Sequence, residues 1–67
     1  MDKKEFKRLF NKYKKRLIQR HQTISMFYIS GMTKADIARG ENVTPQFIGN
    51  TIRTLEGKFI KWIGKLK

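Results

Sequence analysis

The sequence predicts an all-α fold, a compact bundle of about four helices with a long C-terminal helix. Three observations lead there. Apolar residues recur every third or fourth position through most of the chain, as they do on one face of an α-helix. Residues that cap or stop helices, such as Thr33, Thr44, Gly31 and Asn42, punctuate that pattern. The chain has 67 residues, enough for one domain with a small core, read here as spanning residues 1–67.

Residues 2–20 read as one basic helix. Asp2 and Glu5 have capping-box spacing, although that box prefers Ser or Thr at the cap. Phe6, Leu9, Phe10, Tyr13 and Leu17 form one apolar stripe. Lys3, Lys4, Lys7, Arg8, Lys12, Lys14, Lys15 and Arg16 cover the rest. Nine basic and two acidic side chains give residues 1–20 a net charge of +7. Like charges packed this densely repel unless something neutralises them. The face is therefore expected to meet phosphate through Lys12, Lys15, Arg16 and Arg20, with a solvated helix face as the plainer alternative.

A second helix is expected over residues 21–30, with Ile24, Phe27 and Tyr28 in the core. Met26 and Met32 read as gap-fillers. Tyr28 is weighed as core ahead of a base-stacking role. His21 has no acid or Ser partner in a recognisable arrangement and reads as a packing residue.

Gly31 stops that helix, and Thr33 can cap the next, since a Thr oxygen accepts from a first-turn N–H. Residues 34–40 form a short helix with Ile37 and Ala38 turned inward. Asn42 sits in the turn, where Asn tolerates left-handed backbone. Thr44 is a second cap and Pro45 occupies the first helical position, where its missing N–H costs nothing. Ile48, Ile52 and Leu55 then follow helical spacing. Two short helices joined by a tight turn make a helix-turn-helix over about residues 33–55. Its open face carries Gln46, Phe47, Asn50 and Arg53. Gln and Asn can pair two-pronged with adenine, and Arg with guanine, in the major groove of DNA. Gly49 lies within this helix, either for close approach to DNA or for close packing against another helix.

Ile37-Ala38, Val43-Thr44, Ile48, Ile52 and Leu55 resemble the helix-turn-helix of LuxR-type effector domains and, nearly as well, region 4 of bacterial sigma factors. Arg20, Ile24 and Phe27 up to Gly31 fit the helix that precedes the motif in both families. The resemblance runs from about Arg20 to Leu66. Glu41 and Thr51 stand where those families more often carry apolar residues, and Asn42 where Gly is commoner. The resemblance implies DNA binding, with pairing of two copies through the last helix as in LuxR-type domains.

Beyond Pro45 the helical pattern continues. Ile48, Ile52, Leu55, Phe59, Trp62 and Leu66 alternate spacings of four and three, as a heptad seam does. Gly57 and Gly64 each cost about 1 kcal/mol relative to Ala. Either one helix runs to the end or it breaks near Gly57. In both versions Phe59, Ile60, Trp62, Ile63 and Leu66 leave an apolar face on residues 59–66, within an interface helix over residues 56–67. That face is expected to pair two copies as a homodimer, with fold-back onto the first helix as the alternative.

Sixteen Lys and Arg against five Asp and Glu give a net charge of +11. Residues 21–43 are neutral, so the positive charge lies at either side of the middle. Such a balance calls for an anionic partner, nucleic acid or an acidic membrane surface. Asp36 is placed to pair with Arg20 or Arg39. Cysteine is absent and histidine occurs once, which excludes disulfides, thiolate sites and His-rich metal clusters. No P-loop, dinucleotide glycine pattern or nucleophile-base arrangement appears, so neither an enzyme nor a cofactor is expected. No membrane-spanning or leader segment is read, which suggests the bacterial cytoplasm or nucleoid. The leading expectation is a small sequence-specific regulator of transcription on double-stranded DNA, acting as a repressor. Thr33, Lys34 and Thr44 would hold phosphates. Alternatives are a sigma-like factor bound to RNA polymerase, a sequence-neutral nucleoid protein and, less favoured, a cationic membrane-active peptide.

Overall fold

The first eleven helical residues are started by an acid. Glu5 N–H donates to Asp2 Oδ1 at 2.8 Å and begins α1, Lys3–Tyr13. The computed structural model describes residues 1–65 and adds α2, Gln19–Ile29, α3, Lys34–Glu41, and α4, Pro45–Lys65. Among the described residues the result is an all-α bundle of four helices with a long last helix. The stripe Phe6, Leu9, Phe10 and Tyr13 is buried, as its spacing requires.

The expected single helix over residues 2–20 does not form. It ends at Tyr13, a 3₁₀ turn covers Lys14–Arg16, and Leu17 is extended at φ −97°, ψ 145°. No Gly or Pro marks this break, so packing decides it. Leu17 drops into the core at 6 % exposure, and the Gln22 amide donates to the Leu17 carbonyl at 2.9 Å. The chain then reverses, and α2 returns along α1 so that the Phe6 and Tyr28 rings meet edge to face at 5.1 Å. A helix continuing straight through α2 would carry Tyr28 roughly 30 Å away from Phe6. Arg20 consequently belongs to α2.

The buried face of α2 also sits differently from the expected one. Ile24 and Ser25 are fully buried, and the Ser25 hydroxyl donates to the His21 carbonyl at 2.7 Å. A small, internally satisfied Ser lets α2 approach closely, and the face is centred on Ile24, Ser25 and Tyr28. Phe27, expected in the core, lies at its edge and is 37 % exposed; Met26 points outward. Met32 packs against the core as expected.

Helix α4 is continuous through Gly57. Its first half lies on α3, and its second half lies on α1. Phe59 is completely buried, with its ring 5.3 Å from Phe6, and Trp62 lies 5.3 Å from Tyr13. This corrects the expected dimer face: Phe59, Trp62 and Ile63 fold back onto the core, and Ile60 alone of the described group is well exposed. Leu66 lies outside the described residues. The physical reason is the matched apolar stripe of α1, which needs a cover within the same chain. Aromatic pairs such as Phe6–Phe59 each add about 0.5–1.5 kcal/mol beyond area burial.

Candidate nucleic-acid interface

Helix α3 begins where Asp36 N–H donates to Thr33 Oγ1 at 3.1 Å. It ends at Asn42, which takes the left-handed conformation, φ 59° and ψ 43°. Val43 N–H donates back to the Ala38 carbonyl at 3.0 Å, and Asn42 N–H donates to Arg39 at 3.4 Å. These two bonds form a Schellman-type end, which satisfies carbonyls that a helix terminus otherwise leaves free. Two residues on, Phe47 N–H donates to Thr44 Oγ1 at 3.1 Å and α4 begins at Pro45. Both Thr caps and the Asn turn stand where the sequence places them.

Ile37, Ala38, Ile48 and Ile52 are buried between α3 and α4 and fix the angle of the pair. The outer face of α4 carries Pro45, Gln46, Phe47, Asn50 and Arg53, all exposed, beside exposed Thr33, Lys34 and Thr44. At 3.6 residues per turn, Gln46, Asn50 and Arg53 share an arc of about 60°. Thr54 is exposed and falls between Asn50 and Phe47 on the same face. Thr54 is not among the expected base-reading residues, although its i+4 spacing from Asn50 marks it. Thr51 is buried, with its hydroxyl donating to the Phe47 carbonyl at 2.9 Å, so a polar residue is tolerated at an apolar position.

Gly49 is not pressed against another helix backbone. A Cβ there would meet only the Lys34 side chain, at 3.9 Å. Lys34 thus reaches across from the start of α3 to the first turns of α4.

Arg20 joins the same edge from α2. Its guanidinium lies over the Phe47 ring at 5.2 Å, its Nε is 3.7 Å from Glu41 Oε1, and it donates to the Glu41 carbonyl at 3.5 Å. The ion pair explains how Glu41 is accommodated at the end of α3. Asp36 pairs with Arg39 at 3.7 Å.

The other expected phosphate contacts fall elsewhere. Arg16 lies over Trp62 at 5.4 Å, and Trp62 is fifteen residues from Phe47, about 22 Å along α4. Lys12 sits over Tyr13 at 5.5 Å, and Lys15 is exposed on the 3₁₀ turn. Arg20 therefore belongs to the α4 face, whereas Lys12, Lys15 and Arg16 form a separate basic region.

His21 lies behind this edge. Burial, reinforced by Lys58 and Arg20, holds its imidazole below the ordinary pKa. Its Nδ1 is buried without a hydrogen-bond partner among the described residues. Among those residues no group of acids and histidines is placed to hold a metal ion, and no helix is long and apolar enough to cross a membrane. Comparison with protein-family models, with curated proteins and with solved structures found no match.

Proposed function

We propose that this chain is a small DNA-binding regulator of transcription, of the helix-turn-helix kind, that lays the first half of α4 in the major groove of double-stranded DNA. The observation that carries the reading is the exposed arc of Gln46, Asn50 and Arg53 beside Phe47 at the capped start of α4. Gln46 and Asn50 offer two-pronged pairing to adenine and Arg53 to guanine, while the Phe47 ring suits a thymine methyl. Thr33, Lys34, Thr44 and Arg20 surround that arc and would hold phosphates, which fix register without reading sequence. The net charge of +11 supplies sequence-neutral affinity. Gly49 keeps the helix slim where it would lie nearest the bases. Regulation would follow from occupancy, since a domain seated in the groove excludes other proteins from the same base pairs. A dimer face on residues 56–67 is no part of this proposal, because Phe59 is in the core and Trp62 and Ile63 pack against it.

The test compares binding to duplex DNA, to single-stranded DNA of the same composition and to anionic liposomes. Duplex binding that persists at about 150 mM salt is expected. Substituting Arg53→Ala should cost about 1–3 kcal/mol on a preferred site and relax the preference at one base pair. Equal loss on every sequence would remove Arg53 as a base-reading residue. Binding to liposomes in place of duplex DNA would remove the whole reading.

A further inference from the structure

Antiparallel α1 and α2 leave a groove of about 430 Å³ between them. Phe10, Met26 and Ile29 supply its apolar part, and Lys7 and Lys14 stand on the α1 side. No carboxylate is among the described residues that line it. Ile18, the N-cap of α2, and Met26 are 63 % and 59 % exposed, and with the half-buried Gln22 and Ile29 they follow spacings of four, four and three. A lone exposed apolar residue needs no explanation, but Ile18 and Met26 together, next to a groove with Phe10 and Ile29 in its lining, mark a contact surface.

The groove is separate from the proposed DNA face. Gln22 lies about 160° around α2 from Arg20, which holds Phe47 and Glu41 on the other flank. A molecule in the groove therefore leaves the start of α4 free.

We propose that this groove docks an acidic amphipathic helix of a partner protein. Lys7 in α1 and Lys14 at its C-terminal cap are seven residues apart, about 10 Å. Carboxylates seven residues apart on a partner helix match that separation, and the apolar residues between them would fill the space over Met26 and Ile29. This is the helix-in-groove mode, in which an amphipathic helix lays its apolar face into a hydrophobic channel. The unbranched, polarizable Met26 side chain adapts to such a partner. A nucleic-acid backbone would satisfy the lysines yet leave Ile18 and Met26 wet. A second copy of this chain brings its own charge of +11 and is repelled. The docking does not depend on the DNA reading, although together they describe a regulator that could hold a partner at its site.

The experiment titrates ¹⁵N-labelled protein with an acidic amphipathic peptide of about 15 residues, long enough to form a helix on docking. A peptide of the same composition in scrambled order is the control. Amide shifts centred on Lys7, Asn11, Gln22 and Met26, seen with the patterned peptide and not with the scrambled one, are expected. Met26→Glu, at an exposed position that leaves the fold intact by circular dichroism, should weaken binding about tenfold or more. Lys61→Glu, outside the groove, should leave binding within about twofold, as surface charges away from a contact do. Equal binding of both peptides, shifts centred on α4, or no binding of the patterned peptide would each overturn the proposal. Shifts at the same amides on raising protein concentration alone, or with decanoate in place of the peptide, would assign the groove to a second copy or to a small amphiphile and equally overturn it. None of these outcomes alters duplex binding, so the two proposals fail separately.

Discussion

Arg20 is the residue on which three helices converge. It leaves α2, lies over Phe47 of α4 and pairs with Glu41 at the end of α3. A surface ion pair of this kind, with Arg20 exposed and Glu41 half-buried, contributes about 0–1 kcal/mol to stability, so its removal leaves the fold intact. A DNA phosphate near Phe47 would compete with Glu41 for the same guanidinium. Glu41→Gln is therefore expected to tighten duplex binding, and Arg20→Ala to weaken it and reduce the slope of log K against log salt by about 1. An unchanged slope in Arg20→Ala would make Arg20 a purely structural contact. His21 gives a second prediction at this scale. Its pKa in the folded chain lies below the unfolded value of about 6.5, because of burial and then of Lys58 and Arg20. The unfolded chain thus takes up the proton first as pH falls. Stability is unaffected by this group above about pH 7 and declines below about 6.5, levelling off once the folded pKa is passed. Urea midpoints at pH 7.5 and 5.5 measure it, and His21→Gln should flatten the difference. Equal pH dependence in both proteins would contradict the assignment to His21.

At the scale of elements, the start of α4 and the middle of α4 obey different constraints. Gly57 is exposed inside a continuous helix with nothing within 4 Å of where a Cβ would stand. Gly57→Ala is expected to stabilise by about 1 kcal/mol, raising the melting temperature by about 4–8 °C for a domain of this size. No change or a loss would show that the helix is interrupted there. Gly49→Ala should stabilise similarly yet weaken duplex binding, because the added methyl would stand beside Lys34 at the edge of the proposed DNA face. Most elements were legible from local chemistry. Thr33, Asn42 and Thr44 act through bonds to their own neighbours, so residue type and spacing identify them without tertiary knowledge. The reversal at Leu17 was not legible, since no Gly, Pro or cap marks it and it exists only because α2 packs back onto α1. Phe27 leaves the expected core, and Ser25 enters it, for a related reason. Hydrophobicity alone favours Phe, whereas close helix approach favours a small Ser bonded to its own backbone. The Arg20–Phe47 contact joins residues 27 apart in sequence, and no local pattern announces it.

For the whole molecule, the core is one cluster that runs from Phe6 to Phe59 through all four helices. The heptad seam of α4 was readable, but what covers it was not, because the same spacing serves a partner chain or the chain's own first helix. Phe59→Ala distinguishes these. As a core residue it should cost about 3–5 kcal/mol, comparable with the entire stability of so small a domain, at any protein concentration. A variant that remains folded and merely shifts from dimer to monomer would reverse the correction. The basic charge is divided in the same way as the fold. One part, with Arg20 and Lys34, surrounds the start of α4, and another, with Lys12, Lys15 and Arg16, lies towards its far end. The first of these regions is proposed to frame side chains that read base sequence. Selection of bound duplexes from a randomised pool, with excess competitor DNA at about 150 mM salt, tests it most directly. Enrichment of a defined site is expected, with an adenine or guanine preference lost in Asn50→Ala or Arg53→Ala. Measurable binding without any enrichment would contradict it and leave charge as the sole determinant of DNA affinity.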